Sequence, residues 1–182
     1  MLADVGIPMI FVQWPLMFCA LIPVIVVEAL LIRRWVSLSL REAFTGIAKA
    51  NLLSTVVGIP LAWLAMLAVE FAVMLPVSLA ADKWHWKLDS PILQAVGFAL
   101  SVAWIAPFGA YLAVPIAASL LLIPCFYTSV WIERRVCLWA WSAAEQMAVR
   151  RGVYLANLAS YSVLFVLGCI WALCEFLTRR AQ

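Results

Sequence analysis

The fold class is decided by long stretches of sequence without charge, of which residues 50–69 are the clearest. They read ANLLSTVVGIPLAWLAMLAV and contain no Asp, Glu, Lys or Arg. An α-helix needs about 20 apolar residues to cross the hydrocarbon core of a bilayer. The stretch therefore predicts a transmembrane helix, which enters the membrane near Ala50 and approaches the opposite boundary near Glu70.

The whole chain shares this composition. It has 182 residues, of which 68% are hydrophobic and 12% charged, and its mean hydropathy is +1.09. A soluble globular domain is roughly 45–50% apolar and about 25% charged. The composition excludes an ordinary cytosolic domain and a disordered tail, and a net charge of only +3 gives no reason to expect nucleic acid as a partner. We predict a single membrane-embedded domain over residues 1–182.

The uncharged stretches between the charged residues predict an all-α, polytopic transmembrane helical bundle of about four spans. The expected spans cover residues 7–32, 50–75, 108–132 and 153–176. Two further segments are expected, namely a re-entrant or interfacial half-helix over 91–106 and an amphipathic interfacial helix over 136–149. A fifth span remains open, because the uncharged stretch 91–132 is long enough to cross twice.

The basic residues predict the orientation of the bundle. Segments 33–49 and 133–151 carry four Lys or Arg residues each, more than the other connections. By the positive-inside rule both segments face the cytoplasm. We expect an integral protein of a bacterial cytoplasmic (inner) membrane, surrounded by membrane lipids. Within the first of these segments, Ser39 and Glu42 fit the S-x-x-E capping box, which predicts that a helix begins there.

A row of small residues repeats every fourth position along the second predicted span. Its members are Gly46, Ala50, Ser54, Gly58 and Ala62. Small residues let two helix backbones approach closely in a membrane. The row predicts a tight helix-packing face, against either another span or another subunit.

Four polar residues within the apolar stretches need partners: Glu28, Asn51, Glu70 and Asn157. Acidic groups at bilayer depth are expensive and often functional. Glu28 is interpreted as an interfacial carboxylate paired with an arginine or a neighbouring helix, and Glu70 as a residue at the outer end of its helix. The alternative makes them a proton or cation site, although they are expected near opposite membrane faces.

No catalytic or metal-binding motif is recognised. The chain has a single histidine and lacks a phosphate-binding glycine loop, an H-E-x-x-H motif and a G-x-S-x-G motif. We therefore predict no catalytic residue, no metal and no cofactor, and an enzyme is the less favoured class.

The front of the chain resembles the cyanobacterial filament-integrity membrane proteins of the FraC family. The resemblance covers about the first third of the chain and is carried by short motifs: Ile22-Pro23, Glu28-Ala29, Arg33-Arg34, Ala48, Asn51, Ser54 and Gly58. It implies a small integral membrane protein of a multi-protein envelope assembly, with no known cofactor and no catalytic residue.

Three functions follow as hypotheses. The leading one is a non-enzymatic integral membrane subunit or scaffold, which packs with other membrane-protein subunits or with itself. The first alternative is a small oligomeric transporter or channel component that uses Glu28 and Glu70. The second is a membrane enzyme acting on a lipid or quinone. An internal repeat would favour the transporter, and we recognise none in the sequence.

Overall fold

The protein is a bundle of long helices in the computed structural model, which describes residues 10–84 and 113–180. The helices are α1 (Ile10–Ile32), α2 (Leu40–Leu53), α3 (Ile59–Trp84), α4 (Ala113–Ala140) and α5 (Gln146–Arg180), and a π-helical turn, Ser54–Gly58, joins α2 to α3. The described residues form no strand. The predicted all-α helical bundle is confirmed.

Three segments within the described ranges are long and apolar enough to cross a membrane. They are Trp14–Ile32, Leu40–Val77 and Gln146–Arg180, which correspond to three of the predicted spans. The fourth predicted span, 108–132, coincides in its described part with the front of α4, and its crossing stays a prediction. The predicted half-helix 91–106 lies outside the described residues.

The capping box at the start of α2 forms as predicted. The backbone N–H of Glu42 donates to Ser39 Oγ at 3.2 Å. The Glu42 carboxylate in turn accepts from the Ser39 backbone N–H at 2.9 Å. Two amides that a helix start leaves without partners are thereby satisfied.

The predicted interfacial helix over 136–149 is wrong. Residues up to Ala140 extend α4, the chain turns over 141–145, and α5 begins at Gln146. The physical reason is burial. Cys137 and Trp141 of this segment are buried in the core, so the segment packs against the bundle.

Pro60 lies directly after the π-helical turn and Ile59. Proline has no N–H, so a π-type hydrogen bond from residue 60 back to the Thr55 carbonyl cannot form. The turn instead closes with the Ile59 N–H donating to the Ser54 carbonyl. The Trp14 indole N–H of α1 donates to the Thr55 carbonyl at 3.0 Å, which satisfies the orphaned acceptor.

The row of small residues packs inside the chain. The Trp141 indole ring lies over Gly46, where it occupies the space that a Cβ would need, and the Ile132 side chain lies over Gly58. Ala50 and Ala62 are fully buried. The partner of this helix face is therefore the α4 region of the same chain.

The turns after α1 and after α4 lie at the same end of the bundle. Trp141, just past α4, covers Gly46 in the first half of α2, and Ile32, at the end of α1, covers Gly152 near the start of α5. Helices α1 and α4 consequently run toward this end, and α2 and α5 run away from it. We call it the turn end.

Candidate carboxyl-pair site

Glu28 lies in the core of the bundle and is fully buried. Its Oε2 accepts a hydrogen bond from Asn51 Nδ2 of α2 at 2.7 Å, and its Oε1 lies 2.5 Å from Ser160 Oγ of α5. It therefore joins three helices. Its hydrogen-bond partners are neutral, so of the two expected kinds of partner, an arginine or a neighbouring helix, the structure shows neighbouring helices.

Glu133 of α4 has the same surroundings and is 1% exposed. Its Oε2 accepts from Asn157 Nδ2 of α5 at 2.7 Å, and its Oε1 lies 2.7 Å from Ser54 Oγ. The two carboxyl groups thus share one hydrogen-bonded network. We call Glu28, Glu133 and their four polar partners the carboxyl-pair site.

The two halves of this site come from an internal repeat. Residues 46–54 read GIAKANLLS and residues 152–160 read GVYLANLAS, so Gly, Ala, Asn, Leu and Ser recur in register. Each segment follows a helix that carries a buried glutamate, 23 residues before Asn51 in one half and 24 before Asn157 in the other. The prediction that the chain has no internal repeat is wrong.

The repeat is also visible in the burial pattern. In α2 the buried residues include Ala43, Gly46, Ile47, Ala50 and Asn51. In α5 the corresponding buried residues are Val149, Gly152, Val153, Ala156 and Asn157. The two helices present the same face to the core, with one glycine each where a neighbouring side chain crosses closely.

A small cavity adjoins the carboxyl-pair site. Its volume is about 20 Å³, and its polar lining comprises Asn51, Ser54, Thr55, Ser129 and Tyr161. A cavity needs about 10–15 Å³ to hold a water molecule, so there is room for one. The Ser129 and Tyr161 hydroxyl groups are hydrogen-bonded to each other at 2.8 Å, which extends the polar region from the site along α4 and α5.

Three of the four predicted polar residues come together here, and one does not. Glu28, Asn51 and Asn157 belong to the carboxyl-pair site. Glu70 lies on α3 with a partly exposed side chain, and its Oε2 is buried without a hydrogen-bond partner. The partner of Glu28 in the core is thus Glu133, not Glu70.

Glu133 was missed because its sequence neighbours are charged. It precedes Arg134 and Arg135, so cutting the chain at charges places it at the end of a span. Helix α4 continues to Ala140, which leaves Glu133 almost two turns inside the helix. The signal that finds it is the repeated asparagine and serine, since a second A-N-L-x-S segment predicts a second buried glutamate.

The part of the chain that the structure describes contains no group of three or more His, Cys, Asp or Glu residues that could hold a metal ion. The side chains of the site carry carboxyl, amide and hydroxyl groups, which can donate and accept hydrogen bonds and, in the carboxyl groups, bind and release protons. Comparison of the chain with protein-family models, with curated proteins and with solved structures finds no match.

Proposed function

We propose that the protein is a small transporter or channel component of a membrane, which takes up and releases a cation at the carboxyl-pair site. One observation carries the proposal: Glu28 and Glu133 are both buried in one network whose hydrogen-bond partners are all neutral. Acidic groups within membrane helices are costly, and they usually pair with other groups or mark a path for ions or protons. Two such groups, which have no basic hydrogen-bond partner within residues 10–84 and 113–180, indicate that a cation neutralises them.

The placement of the site supports the same proposal. In many transporters the coupling-ion site lies at the interface between internal repeats, including parallel repeats related by an axis along the membrane normal. Here the carboxyl groups lie between an α1–α2 half and an α4–α5 half that point the same way. We further propose that the turn end, with segments 33–49 and 133–151, faces the cytoplasm of a bacterial inner membrane.

Cation flux into proteoliposomes tests the proposal. The purified protein is reconstituted in lipid vesicles, and H⁺, Na⁺ and K⁺ fluxes are each measured with an indicator dye in the lumen after a concentration jump. We expect a flux of one cation above that of empty vesicles. Glu28→Gln and Glu133→Gln should each abolish it.

Glu70→Gln is the matched control, because it makes the same chemical change on α3, outside the carboxyl-pair site. It should leave the flux unchanged. Wild-type flux in both Glu28→Gln and Glu133→Gln would remove the carboxyl pair from the transport path and contradict the proposal. Loss of flux in all three variants would point to a general effect of removing acidic groups, which also contradicts it.

A scaffold or membrane subunit is the second candidate. The observation that favours it is that the network ties α1, α2, α4 and α5 together, as expected of a rigid structural core. The resemblance of the first third of the chain to the FraC family supports this candidate too. However, the row of small residues packs within the chain, so another surface would have to bind other subunits or a second copy.

Co-purification distinguishes the two candidates. The protein carries a C-terminal tag, is extracted in a mild detergent at native abundance, and its companions are identified by mass spectrometry. A scaffold predicts defined partners at fixed stoichiometry that persist in Glu28→Gln, because glutamine preserves the packing. Absence of partners together with cation flux in vesicles would exclude the scaffold.

A further inference from the structure

The two serine hydroxyl groups of the carboxyl-pair site each contact two acceptors. Ser160 Oγ lies 2.5 Å from Glu28 Oε1 and 3.1 Å from the Asn157 carbonyl oxygen. In the other half, Ser54 Oγ lies 2.7 Å from Glu133 Oε1 and 3.1 Å from the Asn51 carbonyl oxygen. The same double contact therefore occurs in both repeats.

A serine hydroxyl has one proton to donate. Each serine faces a carboxyl oxygen and a backbone carbonyl oxygen, so one contact in each half lacks a proton if the carboxyl groups are ionised. The asparagines show no such deficit, because each amide NH₂ has two protons and two acceptors. Asn51 Nδ2 donates to Glu28 Oε2 and to the Ile47 carbonyl, and Asn157 Nδ2 donates to Glu133 Oε2 and to the Val153 carbonyl.

We infer that the cation of this site is the proton, and that each carboxyl group carries one on Oε1. Glu28 then donates to Ser160 Oγ, and Ser160 donates its own proton to the Asn157 carbonyl. Glu133 donates to Ser54 Oγ in the same way. Every short contact of the network obtains one proton, and the occupied site holds two protons and no net charge.

The surroundings of the pair agree with this assignment. Among the described residues, the other titratable groups that face it are Cys137 on α4 and Tyr161 on α5, which are neutral when protonated. Among residues 10–84 and 113–180, no Lys or Arg is hydrogen-bonded to either glutamate, and the Arg134 guanidinium lies over the Tyr154 ring. A metal cation would need several oxygen ligands, whereas the asparagine NH₂ groups already point their donors at both Oε2 atoms.

The inference rests on the proposed function, since it names the cation of the same site, but it is measured without transport. Infrared difference spectra are recorded on the full-length protein in lipid at neutral pH, with Glu28→Gln and Glu133→Gln subtracted in turn from the wild type. We expect each subtraction to reveal the C=O stretch of one protonated carboxyl group. Glu70→Gln serves as the control, because its carboxyl group lies outside the network.

Serine variants identify the protonated oxygen. Ser160→Ala should move the C=O band of Glu28 and leave that of Glu133 in place, and Ser54→Ala should do the reverse. Carboxylate bands in place of the C=O bands at neutral pH, in a protein that elutes as a single folded species, would overturn the inference. So would carboxylate bands that shift when Na⁺ replaces K⁺.

The two proposals fail separately. Protonated carboxyl bands without flux in vesicles would refute the transporter and keep the proton assignment. Flux that depends on Glu28 and Glu133 without those bands would keep the transporter and refute the proton assignment.

Discussion

Replacing Glu28 by alanine should destabilise the protein much more than replacing it by glutamine. The alanine variant removes both contacts of the carboxyl group, to Asn51 at 2.7 Å and to Ser160 at 2.5 Å. Glutamine is nearly the same size and keeps both contacts, because its amide oxygen accepts from Asn51 and its NH₂ donates to Ser160. It therefore imitates the protonated carboxyl group.

The expected difference follows from the groups that lose a partner. In Glu28→Ala the Asn51 N–H is left buried without an acceptor, which costs about 1–3 kcal/mol. The space left by the missing side-chain atoms adds about 1 kcal/mol for each methyl-sized void. We expect a loss of about 3 kcal/mol for alanine, against about 1 kcal/mol or less for glutamine.

Unfolding by SDS, followed through tryptophan fluorescence in mixed micelles, measures these free energies. Glu70→Gln and Glu70→Ala provide the control pair, because Glu70 lies outside the network and both changes should be small. A glutamine variant as unstable as the alanine variant would refute the reasoning. It would mean that Ser160 donates to an ionised Oε1, a contact that a glutamine NH₂ cannot replace.

Three further predictions concern the packing around the site, and the same unfolding assay measures them. Gly152→Leu should destabilise the protein by about 1–3 kcal/mol through overpacking, because a Cβ at Gly152 would lie 2.5 Å from Ile32 Cδ1. An unchanged unfolding midpoint would mean that the Ile32 side chain moves away freely. Trp14→Phe should cost about 0.5–1.5 kcal/mol, since it removes the donor to the Thr55 carbonyl, and a wild-type midpoint would show that this carbonyl finds another donor. Ser39→Ala should cost about 0.5–2 kcal/mol through loss of the helix cap, and no loss would mean that the cap is replaced by water.

Local patterns in the sequence were sufficient for the fold class and for the start of α2. The uncharged stretches identify three helices that are able to cross a membrane, and S-x-x-E identifies the cap at Ser39, because both depend on neighbouring residues alone. The spacing of the small residues likewise identified a packed helix face. The sequence alone could not identify the partner of this face, because the contact between Gly46 and Trp141 depends on how the end of α4 packs against α2.

The carboxyl-pair site depends on contacts between distant segments, which explains why only half of it was predicted. Ser160 is 132 residues from Glu28, and Ser54 is 79 residues from Glu133. Charge clusters also mislead near membrane boundaries, because Arg134 next to Glu133 looks like the end of a span. Comparing the two halves of the chain would have compensated for this, as a duplicated A-N-L-x-S segment requires no knowledge of the fold.

The hydrogen bonds within and between the two repeats link protonation of the carboxyl pair to the distance between α1 and α5. Each asparagine binds the glutamate of its own half, Asn51 to Glu28 and Asn157 to Glu133, whereas each serine binds the glutamate of the other half. By the inference above, both protons lie in the serine contacts, that is, between the repeats. Loss of both protons would leave two negative charges in the core, and each serine would then have one proton for two acceptors, so deprotonation should separate α1 from α5. Val27 of α1 and Val163 of α5 are exposed and line one groove between the two helices. Spin labels at these two positions measure the distance between α1 and α5. A distance that stays constant while the C=O bands titrate would show that the protons hold no contact between the halves.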